Sequence, residues 1–229
     1  MKGKSGISEK IPIFWDLGGT LMDTVEVSKA AFKSALGKDL STEQMKRLYK
    51  DLIKSKRGFR VFFKWPVISM KLSLHKKKVI QIEKELFLTH TQLVPGAKEF
   101  FKQLINHKEL INTVVTQNPH LTNENYGEKL LTSLFDGEPH PFDFVLAGKN
   151  KSELIINRFD SQTIARGIFI GDMNNDILVA KNLGIPGIGV LWGYSNAAEL
   201  ETTLVAKDFD ELYEIIVNHS KSLASNEVF

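Results

Sequence analysis

The 229-residue chain contains no cysteine, which excludes disulfide staples, thiolate metal sites and a catalytic thiol together. It also lacks a long apolar run: nowhere does the sequence approach the roughly 18 residues that a membrane-spanning helix needs. The basic residues 1–10 are followed by only five apolar residues before Asp16, too few for the core of a signal peptide. A cytoplasmic protein without a membrane span is expected. What is present is ordinary for a chain that buries a real core, with 42% hydrophobic and 25% charged residues.

Charge is unevenly distributed. Residues 24–93 hold 16 Lys and Arg against 6 Asp and Glu, a net of +10, so the formal +3 of the whole chain leaves −7 for the remainder. A break of this size predicts two modules, the basic one facing anionic partners.

Periodicity supports the same division. Ile11 to Trp15 is a short apolar run stopped by Asp-Leu-Gly-Gly, as a buried strand ending in a loop would be. From Val25 to Phe87 apolar residues recur at helical spacing, at Val27, Ala30, Ala31, Ser34 and Ala35 and again at Val79, Ile82 and Leu86, with Pro66 at a helix boundary. Then helices are predicted over 97–106, 128–134, 152–159, 177–183 and 209–218, alternating with strands over 111–115, 142–147, 167–170 and 187–192. Strands separated by helix-length segments mean an α/β fold: a Rossmann-like three-layer core with a parallel sheet covered on both faces, carrying an inserted α-helical domain. The core takes residues 9–23 and 93–229, the insert 24–92.

Two acidic segments follow apolar runs at opposite ends of this core. Asp16-Leu17-Gly18-Gly19-Thr20 follows 11–15, and Gly171-Asp172-Met173-Asn174-Asn175-Asp176 follows 167–170. Residues just past the carboxyl ends of parallel strands converge on one crevice, so Asp16, Asp172 and Asp176 are expected to share a pocket. Clustered carboxylates raise each other's pKa, and a hard divalent cation would relieve them. Asp172-x-Asn174-x-Asp176 also begins like a calcium loop, but Ile177 stands where the sharp-turn glycine should be and Leu183 where the closing Glu should be.

These segments, Thr116 at the end of an apolar strand, a lysine just before a helix, and Gly189 to Tyr194 followed by Glu199-Leu200 resemble the haloacid dehalogenase superfamily, in particular its phosphoglycolate phosphatase-like branch. The resemblance covers residues 9–218, and the helical insert is similar to that family's cap domain, whose closure would exclude water and choose the substrate. It implies a Mg²⁺-dependent phosphatase of a small phosphorylated metabolite, with Asp16 attacking the phosphoryl group to give an aspartyl-phosphate. It places Mg²⁺ on Asp16, Asp172, the Gly18 carbonyl and Asp176. It gives the phosphate to Thr116, Thr20, Asn118 and the backbone around Gly19 and Gln117. The motif lysine is Lys151, directly before the helix at 152, or Lys149, and Lys151 is favoured.

One departure stands out. The family's phosphatases carry a second Asp where this chain has Gly18, and that Asp is their general acid and base. Glycine's carbonyl can still hold metal, but glycine transfers no proton. Three outcomes follow: substrates with good leaving groups, a borrowed acid with Asp23 the nearest, or phosphate binding with little turnover. The basic insert interleaves cations and aromatics from Lys54 to Trp65 and adds Lys76-Lys77-Lys78. That is either a solvated face, an electropositive entrance, or a surface for nucleic acid or an anionic membrane.

Overall fold

A computed structural model describes residues 9–54 and 63–226; most of the cation–aromatic stretch between Lys54 and Trp65 lies outside them. The chain forms two compact units, Met1–Met22 with Leu93–Phe229, and Asp23–Gln92.

The larger unit is built on a six-stranded sheet in the order β5-β4-β1-β6-β7-β8, every pairing parallel. The strands are β1 (Ile11–Trp15), β4 (Leu110–Thr116), β5 (Phe144–Ala147), β6 (Ile168–Gly171), β7 (Gly187–Val190) and β8 (Val205–Ala206). All residues of β1 and β4 are buried, as a central parallel strand covered on both faces requires. Alternation along β1 shows the two faces. Phe14 lies in a core with Ile155, Phe159, Ile164, Phe169 and Ala180, which come largely from α6 (Lys151–Arg158), α7 (Ser161–Ala165) and α8 (Asn174–Leu183). Trp15 points the other way and meets Phe100 and Phe101 edge-on at 5.7 and 5.2 Å, on α4 (Ala97–Leu104). Phe100 in turn packs on Phe209 at 5.0 Å, the first residue of α9 (Phe209–Asn226). The remaining core helix is α5 (Glu124–Leu134).

Chain order fixes where a site can form. From β1 the chain goes on to β4 and β5 on one side, whereas β6 to β8 lie on the other. The connections diverge between β1 and β6, and this switch point is where open α/β sheets bind ligands.

The smaller unit is helical: α1 (Val25–Leu36), α2 (Thr42–Lys54) and α3 (Pro66–His90). Pro66 occupies the first turn of α3, where a missing N–H costs nothing, and α3 bends at His75, whose φ/ψ is non-helical. The buried face of α1 comprises Val27, Ser28, Ala31, Phe32, Ala35 and Leu36. Ala30 and Ser34, expected inward, are exposed; the larger Phe32 and Leu36 take the inner positions because they remove more apolar area from water. The chain passes between the units through β2 (Met22–Asp23) and β3 (Gln92–Leu93), which pair with each other.

Other differences from expectation are at element ends. β6 is shifted one residue later than 167–170, and α8 begins at Asn174 rather than 177. β7 stops at Val190 instead of reaching Trp192, because Trp192 turns to donate its indole N–H to the Thr20 carbonyl at 2.9 Å. The two-residue β8 and the short α7 are below the length at which periodicity can be read. Among the described residues no helix is long and apolar enough to cross a membrane.

Candidate active site

Asp16 is the first residue past β1, and its backbone N–H donates to Ile170 O at 2.8 Å. The chain leaving β1 is thereby tied to β6, from which Asp172 follows directly. Asp176 lies in the first turn of α8, where its Oδ2 accepts the Met173 N–H at 3.1 Å and caps the helix. Oxygen atoms of Asp16, Asp172 and Asp176 all lie within 4.8 Å of one another, and all three residues are buried.

One cation meets this cluster from the protein itself. Lys151, the first residue of α6 and buried, places Nζ 2.5 Å from Asp16 Oδ1 and 2.6 Å from Asp176 Oδ1. Lys149 is exposed, and its carbonyl accepts the Gln117 side-chain amide at 2.5 Å. Of the two candidate lysines, Lys151 is the one that joins the carboxylates.

Asp172 is held by different partners. Thr20 Oγ1 donates to Oδ1 at 3.2 Å, and the backbone N–H of Tyr194 donates to Oδ2 at 2.6 Å. Two glycines let the backbone come this close. A Cβ on Gly19, whose φ is +86°, would overlap Asp172 Oδ2 and the Tyr194 ring, and a Cβ on Gly193 would overlap the Asp172 carboxylate. In the sequence, the signal for this role of Gly193 and Tyr194 is the glycine itself, a few residues beyond a strand end.

Several residues expected at the phosphate are committed elsewhere. The Thr20 hydroxyl orients Asp172, and the Gly19 N–H donates to Met22 O at 2.8 Å. The Asn118 side chain accepts the His120 N–H at 3.0 Å and caps the short turn 119–122. Thr116, buried at the end of β4, accepts the Asn118 N–H on Oγ1 at 3.1 Å. Asp23, the acid considered as a substitute, is exposed and accepts the Val25 N–H at 3.0 Å.

Burial, partly offset by Lys151 and reinforced by Asp176, pushes the Asp16 carboxyl up to about 6. Burial, then the charges of Asp16 and Asp176, holds Asp172 well above the ordinary carboxylate range. Burial alone would depress Lys151, but the carboxylates of Asp16 and Asp176 outweigh it and the ammonium is held above its usual range. With all three carboxylates ionised, one ammonium leaves two formal negative charges in a buried cluster. An oxygen-preferring divalent cation fits that donor set and that residual charge.

The profile of the haloacid dehalogenase-like hydrolase family matches residues 13–190, a span that runs from within β1 to the end of β7 and includes Asp16, Lys151, Asp172 and Asp176. This chain belongs to that family. The chain is 45% identical over 51 residues to a phosphoglycolate phosphatase of Agrobacterium fabrum, a match spanning 21% of this chain and 22% of that relative. Its fold is similar to that of CbbY from Rhodobacter sphaeroides, solved in complex with phosphate, with a TM-score of 0.61, 20% identity, and coverage of 88% of this chain and 95% of that one. It is also similar to YfnB from Bacillus subtilis, solved bound to magnesium, with a TM-score of 0.62, 16% identity, and coverage of 90% and 98%.

The carboxylate cluster has a pH signature when no metal is bound. A carboxyl with a folded pKa raised above its unfolded value keeps a proton that the unfolded chain has already released. Its contribution to stability is therefore present below about pH 4 and lost as the pH rises through about 6. In chelator, wild-type thermal midpoints should fall relative to those of Asp16→Asn by several degrees across that window, at roughly 2–4 °C per kcal/mol. Parallel pH profiles for the two proteins would refute the assignment of this strain to Asp16.

Proposed function

We propose that the hydrolase is a Mg²⁺-dependent, phosphoglycolate phosphatase-like phosphomonoester hydrolase acting on a small phosphorylated metabolite in the cytoplasm. The observation that carries this reading is the meeting of Asp16, Asp172, Asp176 and Lys151 at the switch point of the sheet. Asp16, Asp172, the Gly18 carbonyl and Asp176 would hold the Mg²⁺. Once bound, the ion would offset the charge that otherwise keeps an anionic nucleophile from an anionic phosphate.

The chain's own groups supply the rest. One carboxylate oxygen of Asp16 attacks phosphorus as the bond to the leaving oxygen breaks, and the leaving group departs with that electron pair. Water then attacks the aspartyl-phosphate, releasing inorganic phosphate and restoring Asp16; a carboxylate nucleophile thus divides one hard displacement into two easier ones. Lys151 fixes the aim of Asp16 and Asp176 and presents positive charge to the phosphoryl oxygens. Thr116 keeps its hydroxyl proton while accepting from Asn118, and that proton serves a phosphoryl oxygen, together with backbone N–H groups near Gln117. Residues 24–92 serve as a substrate-selecting cap.

Gly18 narrows the substrate class. With no acid to protonate the leaving oxygen, acyl and anomeric phosphates suit this site better than simple alkyl esters. The same glycine favours a competing reading, a phosphate-binding protein with little turnover. Acetyl phosphate hydrolysis with Mg²⁺ and with chelator separates the two. Steady turnover with the metal and background rates without it are expected; phosphate binding with no turnover in either condition would establish the competing reading.

A further inference from the structure

The first half of α3 turns apolar side chains outward. Val67, Met70 and Leu74 are 50%, 57% and 72% exposed, and their spacing of three and four residues sets them on one face of the helix. Ile68 and Val79 of the same helix are buried, so the outward apolar face is separate from the one that packs within the unit. Aligned exposed aliphatics of this kind mark an interaction surface rather than scattered surface residues.

Among the described residues 63–82 the sequence supplies Lys64, Lys71, Lys76, Lys77 and Lys78 and no Asp or Glu. Lys64 is paired with Asp51 at 2.9 Å and Lys71 donates to Leu36 O at 2.7 Å. Lys76, Lys77 and Lys78 follow the bend at His75 and are exposed, which leaves a cluster of cations free next to this face.

We propose that this face of α3 docks the hydrolase on an anionic lipid bilayer. Charge complementarity selects a negatively charged partner, and the apolar chemistry selects lipid among such partners. Val67, Met70 and Leu74 have no π-face on which a base could stack, and the exposed Phe63 beside them offers one ring where nucleic-acid surfaces use successive aromatic platforms. At a membrane interface the same side chains sink to the acyl boundary while lysines stay at headgroup level.

The test uses the full chain and flotation with vesicles of phosphatidylcholine alone or with about one-third phosphatidylserine. Binding is expected only to the anionic vesicles. A basic side chain near such a surface strengthens association about fivefold, so replacing Lys76, Lys77 and Lys78 together by Ala should weaken it on the order of 100-fold. Met70→Glu with Leu74→Glu should abolish flotation, and the milder Leu74→Ser should reduce it, with unchanged circular dichroism and unchanged acetyl phosphate turnover. No binding to anionic vesicles, or binding that the Met70 and Leu74 variants leave intact, would overturn the proposal. It would equally fall if sedimentation showed a dimer that Leu74→Glu dissociates, which would give this face to a second copy, or if single-stranded oligonucleotide bound tightly and independently of Met70 and Leu74.

Discussion

Asp16→Asn is expected to reduce hydrolysis of acetyl phosphate by about 10⁴- to 10⁶-fold, the range in which loss of a covalent nucleophile falls. Asn matches Asp in size, and its carbonyl oxygen can still accept from Lys151, now 2.5 Å from Asp16 Oδ1. What changes is nucleophilicity and charge. Removing one of three buried carboxylates also relieves their mutual repulsion, so the variant should fold and be at least as stable as wild type near neutral pH. A folded, inactive variant separates chemistry from stability. If purified Asp16→Asn kept more than a few per cent of wild-type kcat, with deamidation back to Asp excluded by mass, the aspartyl-phosphate route would be wrong.

Gly18→Asp should have the second largest effect, in the opposite direction. A positioned general acid contributes about 10²- to 10⁴-fold, and the benefit falls on substrates whose leaving oxygen needs a proton. Turnover of a simple alkyl phosphate should rise by that order, while acetyl phosphate, with its good leaving group, should change little. The backbone permits the substitution: the left-handed residue of this turn is Gly19, at φ +86°, not Gly18. Unchanged alkyl phosphate turnover in a folded Gly18→Asp protein would show that the missing acid is not what limits the site. A uniform rise on both substrates would point to altered metal or phosphate binding instead of proton transfer.

Much of this molecule can be read before it is folded. The run Ile11 to Trp15 is apolar on both of its faces, and all of it is buried; that pattern alone calls for a covered parallel strand. Helix-length spacing between such runs then calls for an α/β sheet, and the positions of Asp16 and Asp172 just past strand ends bring them to one edge. The helical character of the basic insert was equally legible. Val27, Ala31 and Ala35 lie inward as the period predicts, whereas Ala30 and Ser34 do not, because small residues satisfy a helical period without indicating which side carries the bulk.

Local pattern and residue identity were enough for the parallel α/β sheet, the meeting of the acidic residues and the absence of an acid at position 18. Only the tertiary structure decided which lysine meets the cluster. Lys149 and Lys151 differ by two residues, and linear spacing carries no direction; the start of α6 turns Lys151 inward to Asp16 and Asp176 and leaves Lys149 in solvent. It alone revealed that Thr20 and the Tyr194 N–H hold Asp172, because contacts across 152 and 22 residues arise from chain packing and leave no periodic trace in the sequence.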